Sequence, residues 1–411
     1  MPEKFPDIYL FNPTCEYAVA NGQTSWQPNQ LLQKMEEDLG TLPLFLAGPS
    51  DVVLVKNLPP ADYLASLKKI RITPPRFIQM NEIAKNEFFL NEPKNRLLPW
   101  GWSPAAHRIL NPLKIACSEN FKKSTVFNWK PEYREIYSKK FALEILKRLL
   151  PEFLPEKVLP PHLMPEVCTS RTELERHIQK WGKIMVKAPW SSSGRGLQRI
   201  TKTPVVEKVW GKLCGIINAQ GYAIAEPLLD KAMDLAFQFE LKQGKVNYLG
   251  ISRFVTDNKG QYLGNYLNGW PIDLNSQVLH FAESLPEMII EPLQKAIETS
   301  PLAENYEGNF GVDTLIFRDE TGNLRVNPCL EINVRQNMGL LSLHLEKLVL
   351  LNKNAMFKMF FRQGKSFLEF KQKMETKHPL ILQDTKIESG FFALTPALEN
   401  TKFGAYLLVS E

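Results

Sequence analysis

The sequence predicts a small open α/β domain followed by a larger α+β region. Three observations predict it: short, wholly apolar runs near the start, alternating helix and strand signals after residue 138, and late strand pairs separated by turn-rich loops. A length of 411 residues leaves room for two or three domains. Hydrophobic residues at 44% and charged residues at 23% exclude a disordered or fibrous chain. No apolar run reaches the roughly 18 residues of a membrane helix, and no secretion-signal pattern follows Met1.

The charges sum to 50 − 44 = +6, yet no basic stripe forms: Lys122-Lys123 and Lys139-Lys140 are short and separate. A mildly basic surface is therefore expected, with no nucleic acid and no membrane as partner. Cys15, Cys117, Cys168, Cys214 and Cys329 are scattered without zinc or redox spacing, which suits a reducing cytoplasm. The 6 histidines are isolated, so no histidine-based metal centre is expected. Proline, at 30 residues, points to rigid connections.

Taking the elements in order, the runs at 8–11 and 52–55 end at Asn12-Pro13 and Asn57, as buried parallel strands do. Residues 61–69 read as a helix, and 70–80 as extended chain interrupted by Pro74-Pro75. The stretch 99–130 has too little periodicity for a reading. Ser138 caps a helix with Phe141, Ile145 and Leu149 on one face, and Pro151 stops it. Ser170 and Glu173 have capping-box spacing for a helix that turns Leu174, Ile178 and Trp181 inward and ends at Gly182. A strand over 183–189 runs into the small-residue loop Ser191 to Gly196. A helix over 204–219 is expected to bury Val206, Val209, Trp210, Leu213 and Ile217, with a strand over 222–229 after it. Residues 234–241 alternate and turn at Gln243-Gly244 into 246–255; 312–317 and 324–335 flank a loop over 319–323. Two more strands of unknown purpose follow Glu388.

Three segments carry candidate chemistry. In 330–335, period two puts Leu330, Ile332 and Val334 on one face and Glu331, Asn333 and Arg335 on the other. Carboxylate and amide oxygens are hard ligands that suit magnesium, the guanidinium suits a phosphate or carboxylate, and Asp313 offers a second carboxylate. An ordinary polar sheet face has the same pattern. Lys187, at a strand end before Ser193, Gly194, Arg195 and Gly196, fits a phosphate site. A surface turn fits equally. Glu226 to Leu229 with Asp234 suits an adenine edge and ribose hydroxyls, or a plain strand end. No Walker, kinase or serine-nucleophile motif occurs. Cys15, beside Glu16, reads as a small buried residue.

In this order, the segments resemble the ATP-grasp superfamily over roughly 135–350. The resemblance implies an N-terminal open α/β, pre-ATP-grasp-like domain followed by a two-lobed ATP-grasp α+β fold. The corresponding boundaries are 1–130, a first lobe over 131–220, a second lobe with the metal site over 221–370, and a C-terminal extension over 371–411. It implies that Lys187, with Lys140, binds the α/β-phosphates of ATP, and that Ser193, Gly194, Arg195 and Gly196 close over the β/γ-phosphates. It assigns Glu226 and Leu228 to adenine, Asp234 to ribose, Asp313, Glu331 and Asn333 to Mg2+, and Arg335 to the transferred phosphoryl group.

The activity implied is that of an ADP-producing carbon–nitrogen ligase, which makes an acyl-phosphate from a small carboxylate and joins it to an amine. A kinase that stops at phosphorylation and a non-catalytic nucleotide-binding protein are the alternatives. Oligomeric state and the identities of acid and amine are left open. Two departures from the family pattern matter. The gap from Asp313 to Glu331 is long, so a bulge or widened loop is expected near Pro328. Gly311 stands where some ligases of the group carry arginine, and Arg253 is the expected compensation. Residues 12–21, after the first strand, and 262–270, rich in Asn, Gly and aromatics, are candidate substrate segments.

Overall fold

The runs at 8–11 and 52–55 form β1 (Ile8–Leu10) and β2 (Val52–Val55), and every residue of both strands is buried. With β3 (Arg76–Gln79) and β4 (Leu97–Pro99) they make a parallel sheet of order β3-β2-β1-β4. Parallel strands covered on both faces need no polar alternation, which is why these runs are wholly apolar. The helix expected at 61–69 is Ala61–Lys69, with Tyr63 and Leu67 turned inward. The stretch too weakly periodic to read starts at the last residue of β4 and contains a helix, Pro104–Leu110; Ser103 caps that helix by accepting the Ala106 N–H at 3.1 Å.

The computed structural model describes residues 5–191, 196–257, 260–271 and 273–410. Its chain divides into one unit of residues 1–129, 263–271 and 335–411 and a second of residues 130–262 and 272–334.

In the second unit Ser138 caps the helix Lys139–Leu149, and Ser170 caps Arg171–Trp181, which Gly182 ends at φ +70°. β5 (Glu166–Cys168), β6 (Ile184–Lys187), β7 (Leu197–Ile200) and β8 (Ala223–Pro227) form a sheet of order β5-β8-β6-β7. Its core gathers Leu174, Ile178, Ile184, Val186, Trp210 and Leu213. The helix expected at 204–219 is Glu207–Gln220. Val206 precedes it in extended conformation and is 64% exposed, so it is not a core residue.

β9 (Asp230–Lys242) and β10 (Lys245–Thr256) are joined through Gln243 and Gly244, both at positive φ, as a two-residue hairpin turn requires. β11 (Tyr262–Leu267) follows, then β12 (Gly308–Arg318) and β13 (Leu324–Asn333), giving the order β13-β12-β9-β10 within this unit.

The remaining strands belong to the first unit: β14 (Ala355–Phe361), β15 (Ile381–Gln383), β16 (Lys386–Ala393) and β17 (Phe403–Val409), in the order β11-β14-β17-β16-β15. β16 and β17 are the two strands expected after Glu388. Residues 262–270 are not an open loop, because Gly264 to Leu267 pair with β14. Among the described residues, no helix is long and apolar enough to cross a membrane.

Candidate active site

The long gap between Asp313 and Glu331 is absorbed as the sequence requires. From Arg318↔Leu324 to Leu315↔Asn327 the β12–β13 ladder is regular, and it resumes with Asp313 opposite Glu331. Continued without a break, the register would set Cys329 opposite Asp313. Two extra residues of β13 near Pro328 correct this and bring the carboxylates face to face. Proline has no N–H for the ladder, so the break falls there at little cost. The Thr314 hydroxyl donates to the Pro328 carbonyl at 3.2 Å, and the Cys329 N–H donates to Asn327 Oδ1 at 3.2 Å.

The register also decides which side chains share a face. Asp313 pairs with Ala236 and Ala236 with Ser252; one step along, Thr314 pairs with Leu235 and Leu235 with Arg253. Successive residues of a strand alternate sides. Asp234, Asp313, Glu331 and Asn333 therefore share one face, and Arg253 lies on the other. The expectation that Arg253 compensates for Gly311 is thus corrected. Asp234 accepts from Lys231 Nζ at 2.7 Å and from the Thr256 hydroxyl at 2.9 Å.

Two ion pairs, each between a buried lysine and a partly buried carboxylate, hold the cations. Lys187 Nζ lies 2.6 Å from Glu226 Oε1, and Lys139 Nζ lies 2.9 Å from Glu331 Oε1. Lys187 and Glu226 sit on adjacent antiparallel strands, β6 and β8, and line one small cavity with Lys139, Cys329 and Leu330. Burial pushes the Glu226 carboxyl up. Lys187, and more weakly Lys139, pull it back, while Glu331 pushes it further up. All four groups thus act on one another, which brings the segments carrying Lys187 and Glu331 together.

Lys140 is exposed, whereas Lys139 is buried at 8%. A helix turns about 100° per residue, and packing sets its rotation so that Lys139 faces the cluster. The sequence signal was available: Lys139 directly follows the capping serine. Its ammonium also donates to the Ser191 carbonyl at 2.8 Å, fixing the start of the small-residue loop. At the far end, the Ala188 N–H donates to the Gly196 carbonyl at 2.9 Å. Gly196 has φ +78°, and a Cβ there would come within 2.7 Å of Ser191 Cβ, so this corner needs glycine. Ser193, Gly194 and Arg195 lie outside the described residues. The Leu228 N–H is already donated to the Lys183 carbonyl at 3.0 Å.

Arg335 departs from its expected place. β13 ends at Asn333, so Arg335 is not on the strand face with Glu331. In the first unit its Nε donates to Glu16 Oε1 at 2.8 Å; the Glu16 side chain is buried and that of Arg335 partly so. Glu16 went unread in the sequence, because nothing local links positions so far apart. Neighbouring Cys15 is buried, and its thiol is pushed up to about 12, chiefly by desolvation, as expected of a packing residue.

No family model and no curated protein matches the chain. The structure is similar to N5-carboxyaminoimidazole synthetase from Staphylococcus aureus complexed with ADP, at 14% identity over 100% of this chain and 94% of that one, TM-score 0.49. It is similar to biotin carboxylase from Campylobacter jejuni in its β-γ-ATP complex, at 14% identity over 88% and 87%, TM-score 0.48. It is also similar to a pyruvate carboxylase variant from Rhizobium etli, at 12% identity over 99% of this chain and 36% of that one, TM-score 0.53. At such identities a likeness shows fold alone, and here it rests on the pyruvate carboxylase match.

Proposed function

We propose, taking as premise that the chain has the ATP-grasp fold with an α/β domain ahead of it, that it is an ATP- and magnesium-dependent ligase. It activates a small carboxylate as an acyl-phosphate and joins it to an amine. The observation that carries this reading is the bulged register setting Asp313 opposite Glu331, with Lys139 tying Glu331 to the Lys187–Glu226 pair.

The donor set fits magnesium. Asp313, Glu331 and Asn333 offer only hard oxygen ligands from one sheet face. Among the described residues no cluster of three or more His, Cys, Asp or Glu could hold a metal. Two carboxylates and an amide leave coordination positions for water and phosphate, as magnesium prefers. When bound, the ion would supply positive charge to offset that of the phosphates.

The chain's own residues do the positioning. Lys187, together with Lys139 in the role that the resemblance gives Lys140, presents ammonium groups to the phosphates; the Glu226 and Glu331 carboxylates hold them in place meanwhile. Gly196 shapes one end of the small-residue loop, which keeps the role that the resemblance gives it at the β/γ-phosphates, where excluding water would protect the acyl-phosphate. Glu226 and Leu228 border adenine, Leu228 through its carbonyl, since its N–H is engaged. Asp234 takes the ribose hydroxyls.

The test is a screen of acid and amine pairs for magnesium-dependent ADP release, with hydroxylamine added to trap acyl-phosphate as hydroxamate. ADP together with an amide and a hydroxamate supports the ligase. ADP with a stable phosphorylated product supports the kinase instead, and ATP binding without ADP from any pair supports a nucleotide-binding protein.

A further inference from the structure

The first unit contains a cavity of about 340 Å³ at the carboxyl ends of β1 and β2. This is within the range of small-molecule pockets, roughly 300–1,000 Å³. In the order β3-β2-β1-β4 the chain runs from β1 to β2 and β3 on one side and returns to β4 on the other. β1 is thus the switch point of the sheet, where open α/β folds bind ligands. The segment 12–21, singled out in the sequence for that reason, supplies Asn12, Thr14, Cys15 and Ala18 to the walls. Asn12 itself is structural: its amide donates to the Gly101 carbonyl at 2.8 Å and accepts the Gly101 N–H at 3.3 Å.

The cavity is mostly apolar, with Phe11, Leu54, Val55, Met80 and Ile109 in its walls and half-buried Trp26 among them. Glu36 breaks this pattern. Its Oε1 accepts from the Thr14 hydroxyl and the Thr14 N–H, and among the described residues no lysine or arginine pairs with it. The next residue, Glu37, is satisfied, by Lys56 Nζ at 3.1 Å and Asn57 Nδ2 at 2.7 Å. An acid left without a counter-charge in an apolar cavity destabilises the fold unless something else supplies the charge. Burial accordingly pushes the Glu36 carboxyl up to about 7. Arg108, exposed on the helix Pro104–Leu110, lines the same cavity.

We infer that this cavity binds a small apolar α-amino acid, with its ammonium on Glu36, its side chain against Phe11, Leu54 and Ile109, and its carboxylate on Arg108. A protonated amine is the cation that Glu36 lacks, the walls reward an apolar body, and the guanidinium takes a carboxylate bidentately. The inference goes beyond the proposed ligase and rests on the first unit alone.

The test titrates the full-length chain, without nucleotide, with L-leucine, L-methionine and L-phenylalanine and with their N-acetyl and amide derivatives, by calorimetry. At least one free amino acid binds, and its N-acetyl derivative binds at least about tenfold more weakly, since a charge-assisted contact is lost. Arg108→Ala weakens the free acid but not the amide, and Glu36→Gln weakens both. Should Glu36→Gln fail to fold, the N-acetyl comparison on the wild-type chain decides alone. Equal binding of free and N-acetyl forms overturns the inference, as does the absence of heat with all three free amino acids. No ATP is present, so either result stands apart from the ADP assay.

Discussion

Lys139 and Lys187 in the second unit each meet a carboxylate within 3 Å, at 2.9 and 2.6 Å. In the first unit Glu36 faces a cavity and, among the described residues, has only Thr14 hydrogen-bonded to it, though Glu37 beside it pairs with Lys56 and Asn57. The difference separates two ways of holding charge ready for use. A self-neutral cluster costs the fold little and can exchange a carboxylate for a phosphate. A lone buried acid costs stability until a ligand brings the counter-charge.

The contrast can be broken first at the carboxylates proposed for the metal. Glu331→Gln is expected to lower ADP release about 10²–10³-fold, the scale of losing one preorganised electrostatic contact at the reacting group. Retention of more than a tenth of the rate would remove Glu331 from the metal site. Next in size, Lys187→Met leaves the largely desolvated Glu226 without its partner and should cost about 3 kcal/mol in urea unfolding. Lys187→Met combined with Glu226→Leu should recover most of that loss. A single-variant cost under about 0.5 kcal/mol would mean that the pair behaves like a solvated one.

Glu36 sharpens the other side of the comparison. It holds its proton more tightly folded, at about 7, than at its ordinary value of 4.5. Its contribution to stability is therefore full below pH 4.5 and is lost as pH rises through 7, by about 3 kcal/mol. Glu36→Gln should flatten that slope in thermal midpoints taken at several values across the window, and an unchanged slope would show that the acid is already satisfied. The smallest effect is expected at the bulge. Asn327→Ala strands the Cys329 N–H and should cost about 1 kcal/mol by denaturant unfolding.

Much of the fold is legible because its signals are local. The apolar runs of β1 and β2, the serine caps at Ser138 and Ser170, and the Gln243-Gly244 turn each need only neighbouring residues. The break near Pro328 was legible for a different reason: the resemblance puts Asp313 and Glu331 at one site, and proline has no N–H for the ladder. Helix Pro104–Leu110 was not legible, since its seven residues carry less than two helical periods. Nor was β14, where the phenylalanines of Met356 to Phe361 give no clean alternation.

The sequence by itself determined which elements form and which oxygen and ammonium groups are on offer, because capping, period and turn chemistry act over a few residues. Tertiary structure decided which of those groups meet. It chose Lys139 over Lys140, sent Arg253 to the far face, and gave Arg335 a partner 319 positions away in Glu16. Helix rotation, strand register and long-range ion pairs are set by packing between distant segments, and no short stretch of sequence encodes them.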